Sequence, residues 1–468
     1  MRRSGPQCPQ ASLTQRFQHS LLRASTGAAS TNWSDDMTKS GSILSSGKAP
    51  DTRLRARYWL ETPADPRKVA ETIAGEQSTG TFVRLAPEVE AQAARCDAVV
   101  ESVQEVEGAP HASLPTARRA GDVPVRRALI ELSWSEENFG WSLPNLMATV
   151  AGNLFELRDV TGLRLLTLDL PDGYAARYPG PQFGVTGTRR LAGVRAGPLV
   201  GTIIKPSVGL SPEQTAAMVA TLCEGGIDFI KDDELQADGP HCPFEARVHA
   251  VMRVVNDHAA RTGRKPMVAF NITDDLDAMR RHHDTVLAHE GTCVMVSVNS
   301  IGLAGLAYLR RHCALPIHAH RNGWGYLSRH PALGFDYAAW QVLWRLAGAD
   351  HMHVNGLRNK FSEPDESVIA SARALAEPLF SDGLPGYEAM PVFSSGQWAG
   401  QAADTYRALG SDDLIYTCGG GIVAHPGGIA AGVESVRAAW QAAARGQAVQ
   451  EAAVGNAALR QALDFFGK

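Results

Sequence analysis

Beyond about Pro198 the chain repeats one pattern, a short apolar run that closes on polar or glycine residues. Runs of strand length cover 199–205, 229–234, 267–271, 294–299, 316–321, 351–355, 391–395 and 414–419. Stretches with helical spacing lie between them. Ser211–Cys223 has a serine at the capping position and Pro212 at the first helical position, and Phe335–Leu346 is a second example. Eight strands at a pitch of roughly 30 residues per unit predict a closed (β/α)8 barrel over 191–468. Segment 51–190 has another rhythm. Arg55–Glu61, Thr81–Leu85, Ala128–Leu132 and Leu163–Leu170 read as strands, Pro66–Ala74 as a helix capped by Asp65, and Leu143–Phe155 as an apolar helical stretch. This predicts a mixed α+β domain, joined to the barrel by the Gly/Pro-rich linker at 178–183.

A barrel gathers the carboxyl ends of its strands at one mouth, where polar residues from distant parts of the chain meet. Here those ends carry Lys205, Lys231 with Asp233 and Glu234, Asn271, Asn299, His320 with Arg321, His353, Ser394, and Gly419-Gly420-Gly421. Lysine or histidine at half of the ends is more than a structural barrel needs, and points to an enzyme.

Composition narrows the class. The 468 residues are 44% hydrophobic and 20% charged, with a net charge of −4. There is no basic field for nucleic acid and no anchor for an anionic membrane surface. No apolar run approaches the ~18 residues of a membrane span. The seven cysteines are scattered without a C-x-x-C pair, which fits a reducing cytoplasm rather than a disulfide framework or a zinc site. Residues 1–50 are rich in Ser, Thr, Gly and Arg, with no acid before Asp35. They read as a disordered leader or extension, with Met37 as an alternative start; the composition is also that of an organellar transit peptide.

The chemistry concentrates in Gly226–Glu234 (GIDFIKDDE), where one lysine sits among carboxylates at the end of an apolar strand. Strand alternation points Lys231 and Asp233 the same way, and Glu234 can turn in beside them. Four charges in a loop are ordinarily a solvated ion-pair run. Two carboxylates and a lysine turned into an anion by CO2 would instead suit a hard cation such as Mg²⁺. Lys205, in GTIIKP at 201–206, would have its ammonium form disfavoured in a desolvated mouth, as an acid–base catalyst requires. Arg321 and His353 suit an anionic group, and exposed backbone N–H groups at Gly419 and Gly420 suit a phosphate.

Gly226–Glu234 matches the activation-site motif of the RuBisCO large-subunit family at every defined position. GTIIKP resembles that family's first-strand motif, EQSTGTF at 76–82 its Glu-Ser-Ser-Thr-Gly-Thr-Trp segment, and GNLF at 152–155 its Gly-Asn-Val-Phe segment. The resemblance covers about 55–445. It implies a ferredoxin-like N-terminal domain before a TIM barrel. It also implies Mg²⁺ held by a carbamate on Lys231 together with Asp233 and Glu234. Lys205, Lys231 and His320 would then be catalytic. Arg321 and His353 would hold a phosphate, and Ser394, Gly419, Gly420 and the mobile-loop lysine Lys360 would contact substrate. It implies a homodimer or higher homo-oligomer in which Glu76, Thr81 and Asn153 reach into the mouth of a second subunit.

The departures matter equally. Ser207 replaces the second lysine of the family's Lys-Pro-Lys motif, Trp324 a mouth histidine, Val354 a serine after the strand-six histidine, and Phe82 a tryptophan. A site that loses several polar contacts no longer fits the same gas-addition transition state. The chain therefore resembles a RuBisCO-like protein rather than a CO2-fixing carboxylase. Segment 351–365 (HMHVNGLRNKFSEPD) resembles the members of the D-apionate pathways. That resemblance implies a phosphorylated keto sugar acid, 3-oxo-isoapionate 4-phosphate, processed through a metal-stabilised enolate by decarboxylation or by carboxyl transfer and hydrolysis. Two other readings remain. One is a methionine-salvage enolase or isomerase on a methylthio sugar phosphate, with Trp324 and Phe82 lining an apolar pocket. The other is a non-catalytic protein that kept the fold, which the intact charge cluster opposes.

Overall fold

The computed structural model describes residues 52–81, 86–114 and 123–468. The 1–50 leader, and Phe82–Leu85 of the strand expected at Thr81–Leu85, lie outside them. In the N-terminal part, β1 (Arg53–Thr62) buries Leu54, Ala56, Tyr58 and Leu60. It pairs antiparallel with both β3 (Val125–Ser135) and β4 (Gly162–Asp169), and β2 (Val99–Ala109) pairs with β3. The helices Pro66–Glu76 and Leu143–Ala151 make the two crossovers. The strand order β4-β1-β3-β2 is that of a ferredoxin-like βαββαβ unit. Asp65 caps the first helix as expected, accepting from the backbone N–H of Arg67 at 3.0 Å and Lys68 at 3.2 Å. The second helix stops at Ala151, before the expected Phe155, and continues as a 3-10 turn, Asn153–Glu156.

The sheet gains a fifth member from far along the chain. β10 (Leu333–Phe335) runs parallel to β4, matching Leu333 with Leu163 and Phe335 with Leu165. Arg164 locks this junction. Its guanidinium donates to the carbonyls of Ser328, His330, Leu333 and Phe335 and pairs with Asp336.

The barrel is closed and parallel. Its strands are β5 (Leu199–Ile203), β6 (Phe229–Lys231), β7 (Met267–Asn271), β8 (Cys293–Ser297), β9 (Ile317–His320), β11 (His351–Asn355), β12 (Met390–Phe393) and β13 (Ile415–Thr417). All eight fall within or beside the expected runs; Met267–Asn271 and His351–Asn355 match them, and the other six are shorter. Several polar residues expected at strand ends therefore lie on the loops that follow. An apolar cluster fills one end of the interior, including Leu199, Phe229, Met267, Met390 and Ile415. The helix Gly184–Ala192, which the sequence reading leaves with the N-terminal half, packs Val185 and Ala192 against this cluster. Asp350 secures it. Its buried carboxylate accepts from the N–H groups of Phe183, Gly184 and Ile317 and pairs with Arg310 at 2.8 Å. Among the described residues, no helix is long and apolar enough to cross a membrane.

Candidate active site

Strand β6 ends at Lys231, so Asp232, Asp233 and Glu234 turn over the rim. Lys231 is only 1% exposed, and its Nζ donates to Glu234 Oε2 at 3.3 Å. Burial moves its amine below the ordinary lysine pKa, against the pull of Glu234 and Asp233. Asp232 points the other way, to Arg247 at 3.4 Å and the Asn271 N–H at 3.0 Å, and braces the loop. Asp233 accepts from Lys205 Nζ at 2.6 Å and from Ser207 Oγ at 2.9 Å. Burial opposes ionisation of both Asp233 and Glu234. Their neighbours outweigh it, Lys205 beside Asp233 and His320 with Lys231 beside Glu234, and both lie below the usual carboxylate range. Two ionised carboxylates and a buried amine favoured toward its neutral, CO2-reactive form are a donor set that suits Mg²⁺.

Histidines line the next part of the interior. His320 Nε2 lies 3.5 Å from Glu234 Oε2, and burial followed by the charge on Lys231 pushes it down to about 4. His353 bonds to Ser394 Oγ at 3.1 Å through Nδ1 and to His318 Nε2 at 2.7 Å through Nε2. Below them His351 bonds to Thr188 Oγ1 at 2.8 Å. The Thr188 hydroxyl already donates to the Gly184 carbonyl, so the His351 proton resides on Nε2. His318 and His351 were not singled out in the sequence. Each stands two residues before an identified mouth histidine, the strand period that puts both on the interior face.

The other expected residues spread around this centre. Asn271 and Asn299 act as loop braces: Asn271 donates to the Glu234 and Gln236 carbonyls, and Asn299 to those of Arg321 and Asn322. Arg321 is 5% exposed and lies over the Tyr337 ring at 4.1 Å. One guanidinium nitrogen is taken by Glu363, and NH1 is buried without a hydrogen-bond partner among the described residues. Trp324 is buried edge-on to Tyr337, in an aromatic cluster that also holds Trp340. Gly419 and Gly420 open the helical turn Gly419–Val423; a side chain at Gly420 would meet nothing within 4 Å, whereas Gly421 packs on Gln397 and Trp398. Lys360 is exposed on the loop after β11. Glu76 and Asn153 are exposed on the N-terminal domain, 3.5 Å apart, and Thr81 is exposed.

A second cluster lies outside the barrel, where His283, Asp284 and His312 bring three ligand atoms within 4.8 Å. His283 Nε2 accepts the Ala314 N–H at 3.1 Å, so in the neutral ring Nδ1 carries the proton given to Asp284. A metal on Nδ1 would set two N–H groups against each other. The cluster is a hydrogen-bonded join between the helices Leu276–Ala288 and Val298–His312.

Residues 184–466 match the family described as "Ribulose bisphosphate carboxylase large chain, catalytic domain", and residues 49–174 match its N-terminal domain. The chain belongs to the RuBisCO large-chain family. Within it, the chain is 61% identical over 414 residues to the 3-oxo-isoapionate-4-phosphate transcarboxylase/hydrolase of Xanthobacter autotrophicus, covering 88% of this chain and 99% of that one. It is 44% identical over 392 residues to the 3-oxo-isoapionate-4-phosphate decarboxylase of Rhizobium etli, covering 83% and 93%. A crystal structure of a RuBisCO-like protein from Burkholderia fungorum superposes with a TM-score of 0.83 at 50% identity, over 89% of this chain and 100% of that one. The chain is a RuBisCO-like enzyme. In this RuBisCO-like barrel Ser207 fills part of the space next to Lys205, donating to Asp233 and accepting from Lys205 at 2.8 Å. Glu363, which the sequence reading did not single out, is the mouth residue with no simple signal, because it lies on an irregular loop without strand or helix period.

Proposed function

We propose that this RuBisCO-like enzyme cleaves a carbon–carbon bond of 3-oxo-isoapionate 4-phosphate by carboxyl transfer and hydrolysis, in the cytoplasm, as a step of D-apionate breakdown. The observation that carries the reading is the 61% identity over 99% of the relative so named, against 44% to the decarboxylase. Mg²⁺, held by a carbamate of Lys231 with Asp233 and Glu234, would supply the positive charge that stabilises oxyanion character as the bond breaks. The chain's own groups do the rest. Lys205 is exposed enough to reach substrate and is held on Asp233, ready to exchange a proton at the reacting carbon. His320, kept neutral by burial, can accept a proton beside Glu234. His353, with both ring nitrogens engaged by Ser394 and His318, orients the Ser394 hydroxyl toward the substrate, and the backbone N–H groups at Gly419 and Gly420 receive a phosphate. Glu76, Thr81 and Asn153, together with Lys360, would cover the mouth in a homodimer.

The test is product analysis with purified enzyme, Mg²⁺ and bicarbonate in 18O-labelled water. Carboxyl transfer with hydrolysis keeps all carbon in two acids, one carrying solvent oxygen. Stoichiometric CO2 release instead would assign the decarboxylase reaction, and an untouched substrate would sink the proposal.

A further inference from the structure

A continuous chain of hydrogen bonds joins His353 to Arg321 on one side of the mouth. From His353 it runs to Ser394 at 3.1 Å, on to Ser395 at 3.4 Å, and then to Asn355 at 2.9 Å. Asn355 donates to Glu363 Oε2 at 2.6 Å, and the same oxygen receives Arg321. The other carboxylate oxygen accepts from Ser367 at 2.9 Å. Glu363 is 12% exposed at its side chain and has three partners, so it is built into the site. Asn355 and Ser395 both hold positive φ, 67° and 69°, an unfavoured conformation that the surrounding bonds maintain at this point of the loop.

We infer that Glu363 is a specificity-determining residue: it neutralises Arg321, so this side of the mouth admits an uncharged or singly charged substrate end and rejects a phosphate. Arg321 keeps NH1 as a buried donor without a partner among the described residues, enough for a hydroxyl or a carboxylate oxygen. A dianionic phosphate there would face the Glu363 carboxylate across one shared cation, and like charge at close range in a desolvated site is strongly unfavourable. The single phosphate of the substrate then belongs on the opposite side, at Gly419 and Gly420. This rests on the proposed monophosphate substrate, and it separates this enzyme from one that must seat a bisphosphate.

Calorimetric binding of ribulose 1,5-bisphosphate, without turnover, tests it. Wild type should bind weakly and Glu363→Gln about tenfold or more tighter, since close charge pairs in buried sites couple at least that strongly. Glu363→Gln combined with Arg321→Gln should lose the gain. Glu363→Ala, checked by thermal melting, guards against a folding artefact of the glutamine variant. Equal affinity in wild type and both folded Glu363 variants would overturn the inference. Because no reaction is followed, that result would leave the assignment of the substrate standing.

Discussion

Replacing Lys231 by methionine should make the protein more stable and inactive. The lysine is 1% exposed, and its amine has one direct partner, Glu234, at 3.3 Å. Replacing a whole buried ion pair by apolar side chains is commonly neutral or stabilising by about 1–4 kcal/mol, because desolvation of the charges is relieved. The opposing effect is the carboxylate left behind, which costs about 3–5 kcal/mol when it is buried and alone. Glu234 is neither: its side chain is 31% exposed and lies 3.5 Å from His320. Asp233 keeps Lys205 and Ser207. Relief of desolvation therefore wins, by about 1–3 kcal/mol. For a chain of this size that is a rise on the order of 1–3 °C in melting temperature. Lys231→Ala, which opens a cavity, should instead fall by about 2–4 kcal/mol. Scanning calorimetry in chelator, paired with turnover measurements, is the assay. A methionine variant destabilised by more than about 1 kcal/mol, or one that retains turnover, would refute the idea that this lysine is kept for chemistry at the expense of stability.

Other outcomes follow from the same geometry. His351 is fully buried and neutral, pushed down to about 3 by burial. Its contribution to stability is complete above its ordinary value near 6.5 and is lost as pH falls toward 3, at about 1.4 kcal/mol per pH unit. Urea titrations of wild type and His351→Asn between pH 7 and 4 should have different slopes, and equal slopes would exclude that role. Asp350→Ala strands the buried Arg310 and unties the helix Gly184–Ala192, so it should cost about 3–5 kcal/mol in urea unfolding. Lys205→Ala should fold normally with negligible turnover, whereas Ser207→Ala should lose about tenfold in kcat and Ser207→Thr recover much of it. Wild-type rates from the Lys205 variant would remove it from the mechanism.

The barrel was legible because each strand is a buried apolar run with a polar end, and burial on both faces leaves no competing pattern. The grouping of charges at the end of β6 was legible because strand alternation alone separates Lys231 and Asp233 from Asp232. Two strands were not foreseen. In β2, bulges near Ser102 and Ala109 break the period of two, and most side chains on this edge are exposed. β10 has three residues, one of them glycine, and is a strand only because Arg164 and β4 receive it. Type and position mark Arg321 as a candidate anion seat in the sequence. Its carboxylate occupant was not legible there, because Glu363 arrives through an irregular loop whose course depends on positive-φ turns at Asn355 and Arg358.

The docking of Leu333–Phe335 into the N-terminal sheet has a consequence for how the enzyme can be taken apart. The barrel half lends a strand to its neighbour, and the neighbour's arginine is fastened through five acceptors to that loan. Hinge bending between the halves would tear this seam, so admission of substrate falls to loop movement alone. A fragment excised as an isolated barrel would carry an orphaned strand with Phe335 stripped of Phe155, and would sooner aggregate than turn over substrate.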